Sequence, residues 1–151
     1  MSTLTAVMKM KSSQDVLSSI LKTTQMGQVG IRAVMEKAVR PDLKKALKSQ
    51  LNEYDAIEQE AYTIAAERSW DIEELDPAVK YMAGAMSRSR LSLGTADSKI
   101  AAMMIQGNTR GMIKGLKNLH RYNKSDKQVS ALSQKLLDCE TENIRQMQGY
   151  V

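Results

Sequence analysis

The chain has 151 residues, with 22 Lys and Arg against 17 Asp and Glu, for a formal charge of +5. That length suits one domain burying about two-thirds of the surface its unfolded form exposes, so stability demands no disulfide, cofactor or partner. A lone cysteine, Cys139, excludes an intrachain disulfide, the apolar runs fall far short of the ~20 residues that cross a bilayer, and no leader pattern opens the sequence, so a cytoplasmic protein with no membrane partner is expected.

Good helix formers dominate, β-branched runs are missing, and there are eleven Met but no Phe, which makes the predicted class all-α. Residues 1–12 keep no period and read as a flexible N-terminal arm. Ser12-Ser13-Gln14-Asp15 then supplies a capping-box-like start to a helix predicted over 13–39. Its stripe of Leu17, Ile20, Thr24, Gly27, Ile31, Val34 and Ala38 advances in steps of three and four.

Pro41 disfavours a helical Arg40 and suits the first turn of a second helix, predicted over 41–70. Leu43, Leu47, Gln50, Tyr54, Ile57, Ala61 and Ile64 form its stripe. So short a connection makes these two helices antiparallel neighbours. Residues 71–94 are read as a long crossover holding a shorter helix that starts at Asp76-Pro77 and carries Val79, Met82 and Met86.

A third long helix is predicted over 95–122. Its glycines at 107, 111 and 115 recur every four residues, at a propensity cost of ~1 kcal/mol each, and read as a groove for close helix approach. Asn123 to Asp126 is a capped turn into a fourth long helix over 126–150, with Val129, Leu132, Leu136, Leu137, Ile144 and Met147 on its stripe. Residues 13–151 thus form a single four-helix-bundle domain.

Two internal echoes support this layout. Gln25-Met-Gly-Gln-Val-Gly-Ile31 matches Gln106-Gly-Asn-Thr-Arg-Gly-Met112, and Asn52-Glu-Tyr-Asp-Ala-Ile57 matches Cys139-Glu-Thr-Glu-Asn-Ile144. Their order pairs the first long helix with the third and the second with the fourth, as a pseudo-twofold repeat would.

With helix order and length, the segments GQVG, IQGNTRG, LNEYDAIEQEA and CETENIRQM make residues 13–151 resemble the ferritin-like four-helix bundles, which have one long crossover between the second and third helices. More narrowly, the chain resembles small bacterial ferritin-like proteins of unknown function. In metal-binding members of that superfamily two helices each give one Glu and the other two each give Glu-x-x-His, all inward. The matching positions here carry Gln25 or Gln28 and Gln106 or Asn108, while Glu53-Tyr-Asp-Ala56 and Glu140-Thr-Glu-Asn143 lack His. Replacing anions and imidazoles by amides removes the donors that redox-active iron requires, so neither a ferroxidase nor any enzyme is expected.

The polar residues left in the core read instead as a hydrogen-bonded layer of Gln28, Gln50, Tyr54, Asn108 and Glu140, with Glu140 buried and its pKa raised unless amides or a cation satisfy it. The alternative reading gives Glu53 and Glu140, with Gln28, Gln50 and Asn108, one loosely held divalent metal. Met8 with Met10, or Met103 with Met104, has the softness copper(I) prefers, although in a chain without Phe methionine is the simpler core filler. His120 reads as a helix-end residue beside the last carbonyls, and Cys139 as a buried inert thiol. Arg110, Lys114, Lys117, Arg121, Lys124 and Lys127 form a basic row that reads as a solvated helix end, with nucleic-acid contact as the alternative. The expected function is a non-catalytic structural or protein-interaction bundle without a resident cofactor, forming a homo-oligomer through the glycine groove or the arm.

Overall fold

Five helices carry the regular structure of residues 10–91 and 96–151, the part of the chain that the computed structural model describes. They are α1 (Ser13–Met35), α2 (Pro41–Glu67), α3 (Pro77–Leu91), α4 (Asp97–His120) and α5 (Lys127–Gln148), and none is long and apolar enough to cross a membrane. Residues 1–9 of the expected arm and residues 92–95, where the crossover gives way to the third long helix, lie outside the described residues.

Local chemistry sets the helix limits. Ser12 Oγ accepts from the Asp15 N–H at 3.0 Å while Asp15 Oδ2 accepts from the Ser12 N–H at 3.4 Å, a reciprocal capping box. α1 stops at Met35, short of 39, because Pro41 holds Arg40 extended and the freed N–H groups of Val39 and Arg40 donate to Asp97 at 2.8 and 2.9 Å. α2 stops at Glu67 in a Schellman turn: Ser69 takes a φ of 53°, and the Trp70 N–H reaches back to the Ala65 carbonyl at 2.9 Å. Asp126 caps α5 by accepting from the N–H groups of Gln128 and Val129 at 3.0 and 3.2 Å.

The helices pack as a bundle whose core is their apolar stripes, with Leu17, Leu21, Leu43, Leu47, Ile57, Ile100, Leu132 and Met147 fully buried. α1 packs on α2, α4 and α5, α4 on α5, and α2 on α5, while α3 lies chiefly against α1. Side-chain bonds between α2 and α5 join Gln50 to Gln146, Glu60 to Lys135 and Arg68 to Asp126, numbers rising on one helix as they fall on the other, so these two run antiparallel.

One polar face of α1 holds the start of the crossover. Gln14, Ser18, Lys22 and Gln25, about a turn apart, bind in order the Asp71 carbonyl (2.6 Å), the Glu73 N–H (3.0 Å), the Glu73 carboxylate (2.5 Å) and the Leu75 N–H (2.8 Å). The strap sets α3 along the flank of α1 and leaves a gap towards α4. Near the start of the described residues, the Lys11 N–H donates to the Arg121 carbonyl at 2.7 Å, which holds this residue against the end of α4 just before α1 begins.

Candidate functional site

The interior polar cluster depends on two glycines. A Cβ on Gly27 of α1 would stand 2.6 Å from the Tyr54 ring, and one on Gly111 of α4 would fall on the carboxylate of Glu140. The missing methyl groups let Tyr54 from α2 and Glu140 from α5 reach the bundle centre. There the Tyr54 hydroxyl donates to Asn108 Oδ1 at 2.8 Å, Asn143 Nδ2 donates to the same oxygen at 3.2 Å, and Asn108 Nδ2 donates to the Met104 carbonyl at 2.8 Å.

Glu140 is 1% exposed, and its Oε1 has no hydrogen-bond partner. Burial pushes its pKa up to about 8, with the Tyr54 hydroxyl opposing part of the rise. Near neutral pH the carboxyl therefore favours its protonated form. Tyr54 is raised as well, by burial first and the nearby Glu140 charge second.

The structure brings Tyr54, Asn108 and Glu140 together but leaves two expected members outside the layer. Gln28 turns to α2, donating to Glu58 Oε1 at 3.2 Å and accepting from Arg32 at 3.2 Å. Its neighbour Gln25 donates to the other oxygen of Glu58 at 3.0 Å, so that carboxylate draws both amides away from the centre. Gln50, one turn before Tyr54, donates to Gln146 at 2.9 Å. Asn143 takes the vacant place. Its spacing of three from Glu140 and seven from Leu136 puts it on the same buried stripe, a signal legible in the sequence.

The donors do not fit a two-iron centre. Glu140 is the single carboxyl of the cluster, and its companions are a phenol and two amides, whereas two cations require several anionic oxygens with nitrogen donors. Glu53, exposed on α2, accepts from Cys139 Sγ at 3.1 Å, and His120 is exposed at the end of α4. Among the described residues no three His, Cys, Asp or Glu side chains stand close enough to hold a metal ion. Met103 and Met104 belong to the apolar core, Met10 is exposed, and Met8 lies outside the described residues.

Beside the cluster a cavity of about 450 Å³ opens between α1, α3 and α4, with Tyr54, Asn108 and Glu140 at its floor. Arg110 and Lys114 line it, whereas Lys117, Arg121, Lys124 and Lys127 are exposed farther along the basic row. Burial, then the charges of Lys22 and Lys11, lowers the pKa of Lys114. Along the glycine row, Gly111 accommodates Glu140, Gly115 receives Leu137 Cδ2 at 3.0 Å from its would-be Cβ, and Gly107 lines the cavity. Two of the three glycines thus serve the chain's own packing, and the third faces the cavity.

Compared with protein-family models, curated proteins and solved structures, the chain finds no match.

Proposed function

We propose that this chain is a non-catalytic, ferritin-like antiparallel four-helix bundle, with α3 carried on a long crossover, and that it works as a structural or protein-interaction module. The observation that carries the reading is the company kept by Glu140. One buried carboxyl, its pKa raised, beside a phenol and two amides bonded to one another fixes helix register, as buried polar groups do, and offers little to a redox metal. A cytoplasmic location suits the single reduced thiol.

Self-association is the partner we infer. Ile113 and Leu116 stand 48% and 42% exposed on α4, and Tyr81, Met82 and Met86 are exposed on α3, an apolar display that a second copy would cover. Light scattering of the purified chain is expected to give a dimer or larger assembly, and a monomer at high concentration counts against it.

Metal analysis of protein purified without chelator is expected to find no stoichiometric metal. Stoichiometric metal that disappears in Glu140→Ala overturns the non-catalytic reading in favour of a reduced metal site. Nucleic-acid binding is the second reading, favoured by the absence of any acid partner for the six cations of the basic row among the described residues. It requires a salt-dependent shift of duplex DNA, and no shift at low salt removes it.

A further inference from the structure

We propose that the cavity between α1, α3 and α4 binds a soluble amphipathic organic anion, its apolar body lying among methionines and its single acidic head held at the mouth by Arg110 and Lys114. Four independent features of the cavity point the same way, and none depends on the interaction-module reading.

The first is glycine without an internal reason. A glycine inside a helix costs ~1 kcal/mol against alanine. Packing within the chain accounts for Gly27, Gly111 and Gly115, which accommodate Tyr54, Glu140 and Leu137. Gly84 of α3 is likewise close to its own chain, with Arg88 Nη1 at 3.2 Å and Val29 Cγ1 at 3.7 Å from its would-be Cβ, but such packing does not account for Gly30 and Gly107. The nearest atom to a Cβ on Gly30 is Met104 Cε at 3.9 Å, and a Cβ on Gly107 would have nothing within 4 Å. Both line the cavity, where their bareness leaves room for something other than this chain.

The second is the wall. Met26, Ile31, Met86, Met103 and Met104 surround the space, and thioether side chains adapt to a ligand's outline at little cost. Its volume of about 450 Å³ is in the range of small-molecule sites, enough for a ligand on the order of 20 non-hydrogen atoms.

The third is the floor. Glu140, 1% exposed with an unpartnered Oε1, lines the cavity at its deep end. A buried carboxyl there tolerates an apolar or hydrogen-bonding end of a ligand, while an ionised head at that depth would lose its hydration with no cation beside it, which orients the acidic head outward.

The fourth is the mouth. Arg110 and Lys114, one turn apart on α4, flank Gly111 and make no bond to an acid among the described residues. Two other cations at the cavity are already engaged, Lys22 with the Glu73 carboxylate at 2.5 Å and Arg90 with Gln106 Oε1 at 3.4 Å. A single anion would compensate both cations of the pair and offset the repulsion that Lys22 and Lys11 exert on Lys114.

Sodium dodecanoate below its micellar concentration, titrated calorimetrically into the intact chain at neutral pH, tests the proposal. One saturable site is expected, with dodecanol binding about tenfold more weakly because it lacks the charge. Replacing both exposed cations, Arg110→Ala with Lys114→Ala, is expected to weaken dodecanoate about tenfold and leave dodecanol unchanged. Gly107→Leu, whose side chain enters open space, is expected to abolish binding of both while the circular dichroism spectrum is kept. The cation double variant carries the test alone if Gly107→Leu does not fold. No saturable binding of dodecanoate, or binding indifferent to the cation pair, overturns the proposal. So does co-sedimentation with phosphatidylglycerol vesicles by a chain that ignores dodecanoate, which would assign the cations to a lipid surface.

Discussion

The ring of Tyr54 lies on Gly27 so closely that a Cβ there would stand 2.6 Å from Cε2 and 2.7 Å from Cζ. The ring cannot withdraw, since its hydroxyl is bonded to Asn108 and the side chain is buried. Gly27→Ala should therefore destabilise the fold. Overpacking of this kind costs about 1–3 kcal/mol, set against a helix-propensity gain of about 1 kcal/mol. A net loss of up to about 2 kcal/mol by urea denaturation is expected, and a variant more stable than the wild type would show that the ring is free to move.

Gly107 makes the opposite prediction from the same kind of measurement. With nothing within 4 Å of its would-be Cβ, Gly107→Ala meets no steric penalty and keeps the propensity gain. Stability should rise by up to about 1 kcal/mol. A loss would mean that α4 is more tightly enclosed at this turn than the geometry allows.

Glu140 makes stability depend on pH with a definite sign. Its ordinary pKa of 4.5 rises to about 8 in the folded chain, so between these values the native state holds more protons than the unfolded state. Stability then falls as pH rises, by at most about 1.4 kcal/mol per unit. Below this window the group contributes nothing, and above it the full penalty of a buried anion is present. Glu140→Gln removes the titration and leaves a group able to bond Tyr54. Its stability relative to wild type should increase by roughly 2–4 kcal/mol from pH 5 to pH 9. A difference that stays level across this range would place the charge in water.

Much of this arrangement is legible in the sequence, and the exceptions have local causes. Leu17, Leu47, Ile57, Ile100, Leu132 and Met147 sit on stripes with a period near 3.6 and are buried. Glu140 stands on such a stripe between Leu136 and Ile144, which is why its burial can be read from spacing. Periodicity says which residues face inward but not which neighbours they meet. Gln28 faces inward and still leaves the central layer, because Glu58 on the adjacent helix offers it a charged acceptor. The cavity is legible only in part. Its glycines are visible, but whether a helical glycine accommodates a side chain or a void depends on how α3 is strapped to α1 by contacts distant in sequence.

Cys139 should react slowly as a nucleophile despite being only partly buried. Burial, then the hydrogen bond to Glu53 and its charge, raises the thiol far above its usual range, so the thiolate that attacks alkylating agents is scarce at neutral pH. Iodoacetamide at pH 8 should modify the native chain ~100-fold or more slowly than the urea-unfolded chain. Glu53→Gln, which removes the carboxylate beside the sulfur, should raise the native rate severalfold. Equal rates in the native and unfolded states would remove the basis for calling this thiol inert.

Asp126 does two jobs, and two substitutions separate them. Its Oδ1 caps α5 through the N–H groups of Gln128 and Val129, while its carboxylate receives Nε and Nη2 of Arg68 at 2.5 and 3.1 Å, fastening the end of α2 to the start of α5. The hydrogen bond from Arg68 is the main cause that lowers the Asp126 pKa, so the contact contributes stability above the ordinary carboxylate range that is lost as pH falls through the depressed value. Asp126→Asn keeps a capping oxygen and removes the charge. Asp126→Ala removes both, and the cap alone is worth about 0.5–2 kcal/mol. The expected order of stability at neutral pH is wild type, then Asn, then Ala. The gap between wild type and Asn should close in acid, where Asp126 is protonated and the ion pair is already gone, whereas the gap between Asn and Ala should stay constant with pH because the cap carries no proton. If the Asn variant equals wild type at neutral pH, the cap does all the work and the Arg68 contact contributes nothing to stability.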